Sequence, residues 1–82
     1  KTDTFISCYN EVHITINLPI NPHPGRMIWI RKNNEFPVTI DGNGETIVDD
    51  VPTNSIGIVS TSAMVMMIFD GQYWMCNAML IQ

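Results

Sequence analysis

Hydrophobic and polar residues alternate along most of this chain, and the alternation predicts β-strands. In Val12–Leu18 every second residue is aliphatic, and the residues between them are His13, Thr15 and Asn17. A period of two is typical of a strand that turns one face to the core, so Val12 and its aliphatic partners are predicted to point inward. Pro19 has no N–H to donate and ends the strand.

Other runs have the composition of strands and are separated by turn residues. The predicted strands are Phe5–Cys8, Arg26–Arg31, Phe36–Ile40, Glu45–Val48, Ser55–Ser60, Met64–Phe69 and Tyr73–Ala78. In Arg26–Arg31 both faces carry bulky apolar groups, which predicts that both are covered. The Asp-Gly pairs at Asp41-Gly42 and Asp70-Gly71 predict hairpin turns, and Asp49–Pro52 is predicted to close a strand. Short strands at this spacing predict an all-β fold, a small antiparallel β-sandwich or β-prism-like domain.

Composition predicts that this domain shares its core with other chains. The chain has 82 residues, 45% of them hydrophobic and 15% charged. A domain of this size buries only about 60–65% of the surface of its unfolded chain, and the charged share is below the ~25% usual for soluble domains. Some apolar surface is therefore expected to lie against another subunit. Because the chain begins with Lys1 and not with Met, it is interpreted as a fragment of a longer protein. Residues 1–82 are predicted to form a single β-domain.

The charge of the chain limits the class of partner it can bind, and its two cysteines raise the question of a disulfide. The net charge is −4, which argues against nucleic acid, and the cluster of Arg26, Arg31 and Lys32 is interpreted as a solvated strand end. No apolar run is long enough to span a bilayer. Cys8 and Cys76 are interpreted as small buried hydrophobes, with a disulfide left open if the terminal strands are neighbours.

The sequence contains no catalytic motif, and neither an enzyme, a cofactor nor a metal site is predicted. His13 and His23 would form a metal site only if copies of one histidine from several subunits met on a symmetry axis. Acidic residues are interpreted as solvated turn residues rather than a glycosidase pair. They are Asp41, Glu45, Asp49 and Asp50.

Aromatic residues are the best candidates for ligand binding, because exposed rings stack on sugars or anchor a protein partner. The candidates are Trp29, Tyr73 and Trp74, with Arg31 beside Trp29 on the same strand face. For Trp74 a core position after its hairpin is the favoured interpretation, whereas Trp29 and Tyr73 are more open. Six methionines, four of them in Met64–Met75, are interpreted as gap-fillers of a core or subunit interface, the alternative being a pliable binding face.

Several short motifs follow one another in a distinctive order. They are Leu18-Pro19, Pro24-Gly25-Arg26, Ile28-Trp29-Ile30-Arg31-Lys32-Asn33, Val38-Thr39-Ile40-Asp41-Gly42 and Asp70-Gly71-Gln72-Tyr73-Trp74. This order resembles a recurrent module of phage tail fibres and tailspikes. The resemblance extends over about residues 2–78, and the methionine-rich Met64–Met67 and the large Trp29 depart from the usual pattern.

This resemblance implies a β-rich domain that assembles as an intertwined or side-by-side parallel homotrimer in the virion, in contact with other tail or tail-fibre segments. It implies a structural, trimerising role, often at or near the tip that binds a host-surface glycan or protein. Two alternatives stay open: a carbohydrate-binding module, or a non-catalytic part of a polysaccharide-degrading tailspike. The host, the receptor and the position along the fibre stay open as well.

Overall fold

The computed structural model describes residues 3–59 and 61–80, and these residues form nine strands and no helix. The predicted all-β class is therefore confirmed. The strands are β1 Asp3–Cys8, β2 Ile14–Asn17, β3 Met27–Lys32, β4 Val38–Asp41, β5 Ile47–Asp49, β6 Val51–Thr53, β7 Ser55–Ile58, β8 Ala63–Phe69 and β9 Trp74–Leu80.

The strands form two sheets that share one hydrophobic core. The larger has six strands in the order β1-β3-β8-β9-β5-β6, and the smaller has three in the order β2-β4-β7. In the larger sheet Ile30, Val65 and Trp74 are fully buried, as are Val38 and Ile40 of the smaller sheet. Buried residues of both sheets belong to one cluster, so the inner faces of the two sheets supply the core.

Both sheets are mixed, so the predicted purely antiparallel arrangement is wrong. β1 pairs with β3, β2 with β4, and β5 with β9 in parallel; the remaining pairs are antiparallel. The reason is the path of the chain, which moves from one sheet to the other at β2, β3, β4, β5, β7 and β8. A strand of one sheet thereby serves as the crossover that a parallel pair in the other sheet requires.

Two local predictions fail where the chain changes sheet or meets an edge. The Asp41–Gly44 turn is not a hairpin, because β4 and β5 belong to different sheets. Gly42 is needed there because a Cβ would lie 2.0 Å from the carbonyl oxygen of Glu45. The closing segment Asp49–Pro52 contains the start of β6, which pairs with β5. Pro52 is tolerated because β6 is an edge strand.

The first long strand is shorter than its alternation predicts. Ile14 and Ile16 pack against the core as expected, but Val12 precedes β2 and is 65% exposed, so its predicted inward position is wrong. The Nδ2 of Asn10 donates a hydrogen bond to the carbonyl oxygen of Val12 at 2.7 Å. Val12 therefore belongs to the turn between β1 and β2. Ser60, the predicted end of β7, lies outside the described residues.

Both cysteines are free thiols, Cys8 buried and Cys76 half-buried. Two strands, β3 and β8, separate β1 from β9 in the sheet. At about 4.8 Å per strand the two backbones are about 14 Å apart, which is too far for the disulfide that the sequence left open. Burial raises the pKa of both thiols, that of Cys76 to about 11.

Candidate functional site

Most outward residues of the six-stranded sheet are apolar. The register aligns Phe5, Trp29 and Met66 in one row, which ends at Asn77. A second row is apolar from β3 to β6. It contains Met27, Ile68, Met75, Val48 and Pro52. A third row contains Ser7, Arg31 and Met64. We call these outward residues the methionine face.

Nothing in the described protomer covers this face. Phe5 is 60% exposed, and Trp29, Met66 and Ile68 are half-buried against one another, whereas their neighbours Ile30 and Met67 on the inner side have no exposure. Four of the strands are about 20 Å long, whereas β5 and β6 are about 10 Å long, and at about 4.8 Å between strands the face has an area of about 400 Å². That is within the range of the largest apolar patches of typical monomers, which are often functional.

The outer face of the three-stranded sheet is polar. The register pairs Thr15 with Thr39 and Asn17 with Asp41, and it pairs Asp41 with Ser55 on β7. The hydroxyl of Thr39 is 2.7 Å from the Nε2 of His13. We call these outward residues, Thr15, Asn17, Thr39, Asp41 and Ser55, the polar face. Its composition is that of a surface in contact with water.

The structure separates the four predicted ligand-binding residues. Trp29 and Arg31 lie on the methionine face as predicted, two residues apart on β3. Tyr73 lies in the turn between β8 and β9 and is 37% exposed, and its hydroxyl is 3.3 Å from the Nε2 of Gln72. Trp74 is fully buried, so it has no surface to offer a ligand.

Trp74 is a central residue of the core. Its ring lies 5.4 Å from that of Phe69, with an angle of 59° between the ring planes. Its backbone N–H donates to the carbonyl oxygen of Thr46 at 2.9 Å, which fixes the start of β9 beside β5. The indole Nε1 is buried without a hydrogen-bond acceptor. The late Asp-Gly-x-x-Trp motif therefore supplies packing here.

The predicted solvated cluster of basic residues is wrong for Lys32. This side chain points inward next to Cys8, its partner in the register, and is fully buried. Its Nζ donates to the carbonyl oxygen of Asn34, which gives the ammonium group an acceptor inside the protein. Its charge also offsets part of the effect of burial on the pKa of Cys8. Arg26 and Arg31 are half-buried.

Side chains of Lys32-Asn33-Asn34 hold the two turns at one end of the molecule together. The Nδ2 of Asn33 donates to the carbonyl oxygen of Cys8 at 3.0 Å and to Ser7 Oγ at 2.8 Å. The Nδ2 of Asn34 donates to the carbonyl oxygen of Asn10. The Lys-Asn motif at the end of β3 therefore fixes the end of β1, the strand beside it.

At the opposite end, the Asp-Gly and Pro-Gly motifs join neighbouring turns. Gly25 has a positive φ of 88° and donates from its N–H to the carbonyl oxygen of Phe69 at 2.7 Å. Asp70 Oδ1 accepts hydrogen bonds from the N–H groups of Tyr73 at 2.8 Å and Gln72 at 2.9 Å. These bonds lower the pKa of Asp70. The motifs behind the tail-fibre resemblance thus have structural roles.

The described residues give no geometry for metal binding. No group of three or more histidine, cysteine, aspartate or glutamate side chains in residues 3–59 and 61–80 could hold an ion. His13 is bonded to Thr39, and His23 is exposed in the loop before β3. Asp41 is engaged in a turn, where its Oδ1 accepts from the N–H of Asn43 at 2.7 Å.

Comparison of the chain with protein-family models, with curated proteins and with solved structures found no match. The resemblance to tail-fibre modules therefore stays a prediction from the motifs. In the part of the chain that the structure describes, no helix is long and apolar enough to cross a membrane.

Proposed function

We propose that this chain is a structural, trimerising module of a bacteriophage tail fibre or tailspike, in which three copies turn their methionine faces toward a common axis. The observation that carries the proposal is the uncovered apolar face itself. Its area of about 400 Å² per protomer is about half of the ~800 Å² per partner of a standard stable interface, and contacts at the sheet edges supply the rest.

The length of the outward side chains suits a three-way arrangement. Six strands give a sheet about 24 Å wide, and three such sheets around an axis form a triangular prism with each sheet about 7 Å from the centre. Two sheets packed face to face have only about 5 Å each to fill. Methionine and tryptophan are long enough for the wider gap, and methionine is flexible enough to fit it. This accounts for Met66 and Trp29 at the centre of the face.

The directions of the first and last strands, β1 and β9, suit a module within a fibre. β1 is parallel to β3, while β3 and β9 are both antiparallel to β8, so β1 and β9 run the same way. The chain therefore enters the six-stranded sheet at one end and leaves it at the other. Parallel copies with this geometry can follow one another along a shared axis, as a shaft or near a tip that contacts the host.

Solution mass tests the proposal directly. Light scattering across a dilution series is expected to give three times the protomer mass of 9.3 kDa, persisting on dilution. A stable monomer would overturn the trimer. A monomeric carbohydrate-binding module, with Trp29 and Arg31 on an open face and Tyr73 in its turn, would then become the better proposal.

A further inference from the structure

Arg31 is a charged residue of the methionine face, and its surroundings in the protomer are incomplete. It lies between Ser7 on β1 and Met64 on β8 in the third row. The side chain is half-buried, and its Nε is out of contact with solvent without a hydrogen-bond acceptor. A guanidinium group is always charged and presents its donors in a fixed plane that matches a carboxylate.

Covering the methionine face makes this deficit larger. If an apolar surface closed over Arg31, it would displace the water that still contacts the side chain. The guanidinium would then be a buried cation without a partner, which opposes association. A partner that covers the face therefore has to bring an acceptor for the guanidinium. The chain itself is rich in acceptors, since it has eight acidic residues and four basic ones. A second copy can thus supply the missing carboxylate.

The symmetry of a trimer determines which carboxylate comes near. Around a three-fold axis each interface is heterologous, so one edge of a subunit meets the opposite edge of its neighbour. Arg31 lies on β3, next to the edge strand β1, and the opposite edge is β6. The turn that leads into β6 carries Asp50, which is exposed and has a positive φ of 64°.

The heights along the strands also agree. Val48 is level with Met75 and Ile68, which places Asp50 about level with the Trp29 row. Arg31 lies two residues beyond Trp29, so it differs in height from Asp50 by about 7 Å along the strand, and the long arginine side chain has to lean toward the Trp29 row to meet the carboxylate. The adjacent Asp49 is a weaker candidate, because it lies near Cys76 on the inner side and contributes, after burial, to the raised pKa of that thiol.

We propose that Arg31 of one copy forms an ion pair with Asp50 of the next copy, so that each corner of the prism is closed by one such pair. The inference rests on the proposed trimer. It gives Arg31 a role in selecting the partner edge, whereas the apolar rows supply the contact area. In a mixture of this chain with a homologous chain that lacks either charge, trimers that contain both chains would then be disfavoured.

A double-mutant cycle on the full chain tests this pair. The variants are Arg31→Gln, Asp50→Asn and both together; asparagine tolerates the left-handed backbone of position 50. The readout is the protomer concentration at which trimers dissociate, measured by light scattering. We expect each single variant to raise this concentration at least about 10-fold and the double variant to raise it no further, since both changes remove one interaction. Asp49→Asn is the matched control and is expected to be additive with Arg31→Gln.

The outcomes separate this inference from the proposed function. If the wild-type chain is a trimer and the effects of Arg31→Gln and Asp50→Asn simply add, the ion pair is wrong and the trimeric module stands. If the wild-type chain is a monomer at all concentrations, both proposals fall together. Coupling between Arg31 and Asp49 in place of Asp50 would also overturn the assignment.

Discussion

The methionine face and the polar face belong to the same small domain, yet they differ in almost every outward residue. Both sheets supply aliphatic side chains to one core. On the outside, the centre of the larger sheet carries Trp29 and Met66, whereas the smaller sheet carries Thr15 and Thr39. A sheet needs only one apolar face to build the core of its own protomer. A second apolar face therefore indicates a second covering surface, and the polar face indicates water.

The difference between the methionine face and the polar face is tested most directly by placing a charge on each of them. Met66→Asp is expected to dissociate the proposed trimer, weakening association at least about 100-fold, because an unpaired carboxylate would be buried at the centre of the interface. Thr15→Asp puts the same charge on β2, an exposed edge strand of the polar face, and is expected to leave the mass unchanged. Light scattering measures both.

Circular dichroism would serve as the control for folding of these two variants. Both are expected to keep a β-sheet spectrum, since neither side chain belongs to the buried core. Equal effects of Met66→Asp and Thr15→Asp on the mass would contradict the distinction between the faces.

Much of this distinction could be predicted from the sequence. Strict alternation around Thr15 predicts one solvated face, and the bulky residues on both sides of β3, Trp29 among them, predict two covered faces. What alternation could not give is the pairing of strands. It assigns residues to faces but does not tell which strand lies beside which, so the parallel pairs and the change of sheet after Asp41 were missed.

The buried position of Lys32 was missed for a related reason. A lysine at the end of a strand is usually solvated, and its burial depends on the carbonyl oxygen of Asn34 being turned inward. That carbonyl is presented by the turn, which local propensity does not specify. The alternation of β3 itself was the usable signal, because Lys32 continues the even-numbered inner positions Ile28 and Ile30.

Oxidation would sharpen the comparison by measuring coverage of the methionine face. With dilute hydrogen peroxide, Met27, Met64 and Met75 are expected to be oxidised several-fold faster in Met66→Asp than in the wild type, because dissociation of the proposed trimer uncovers them. Met67 points into the core and has no exposure, so it is expected to react slowly in both. Mass spectrometry of peptides gives the rates. Equal rates for Met27 in the two proteins would mean that the face is open in the assembly.

The smallest expected effect concerns Asp70, which lies outside both faces. Its hydrogen bonds to the N–H groups of Tyr73 and Gln72 lower its pKa below the ordinary value of 3.8. This contribution to stability is therefore fully present above about pH 4 and is lost as the pH falls through the lower, folded-state pKa. Asp70→Asn is expected to lower the Tm at pH 7 by a few degrees and to flatten the loss of stability in acid.

Because the hairpin turn is remote from the proposed contact, the mass of Asp70→Asn at pH 7 is expected to equal that of the wild type. Thermal unfolding followed by circular dichroism between pH 2 and pH 7 checks the first part of this prediction, and light scattering checks the second. A trimer lost together with the Asp70 carboxylate would place the interface at the turn and not on the sheet.

The path of the chain between the two sheets also has a kinetic consequence. Of the strand pairs, only β5–β6 and β8–β9 join strands that follow one another directly. β1 pairs only with β3, and β2 pairs only with β4, so neither pairing can form through a turn between consecutive strands. Domains dominated by such distant pairings fold in milliseconds to seconds, and during that time the residues of the methionine face are exposed to every other nascent copy. Assembly of the proposed trimer then requires each protomer to close its own core before it meets its neighbours. We therefore expect the rate of folding, more than the strength of the contact between methionine faces, to set the protein concentration above which the chain aggregates.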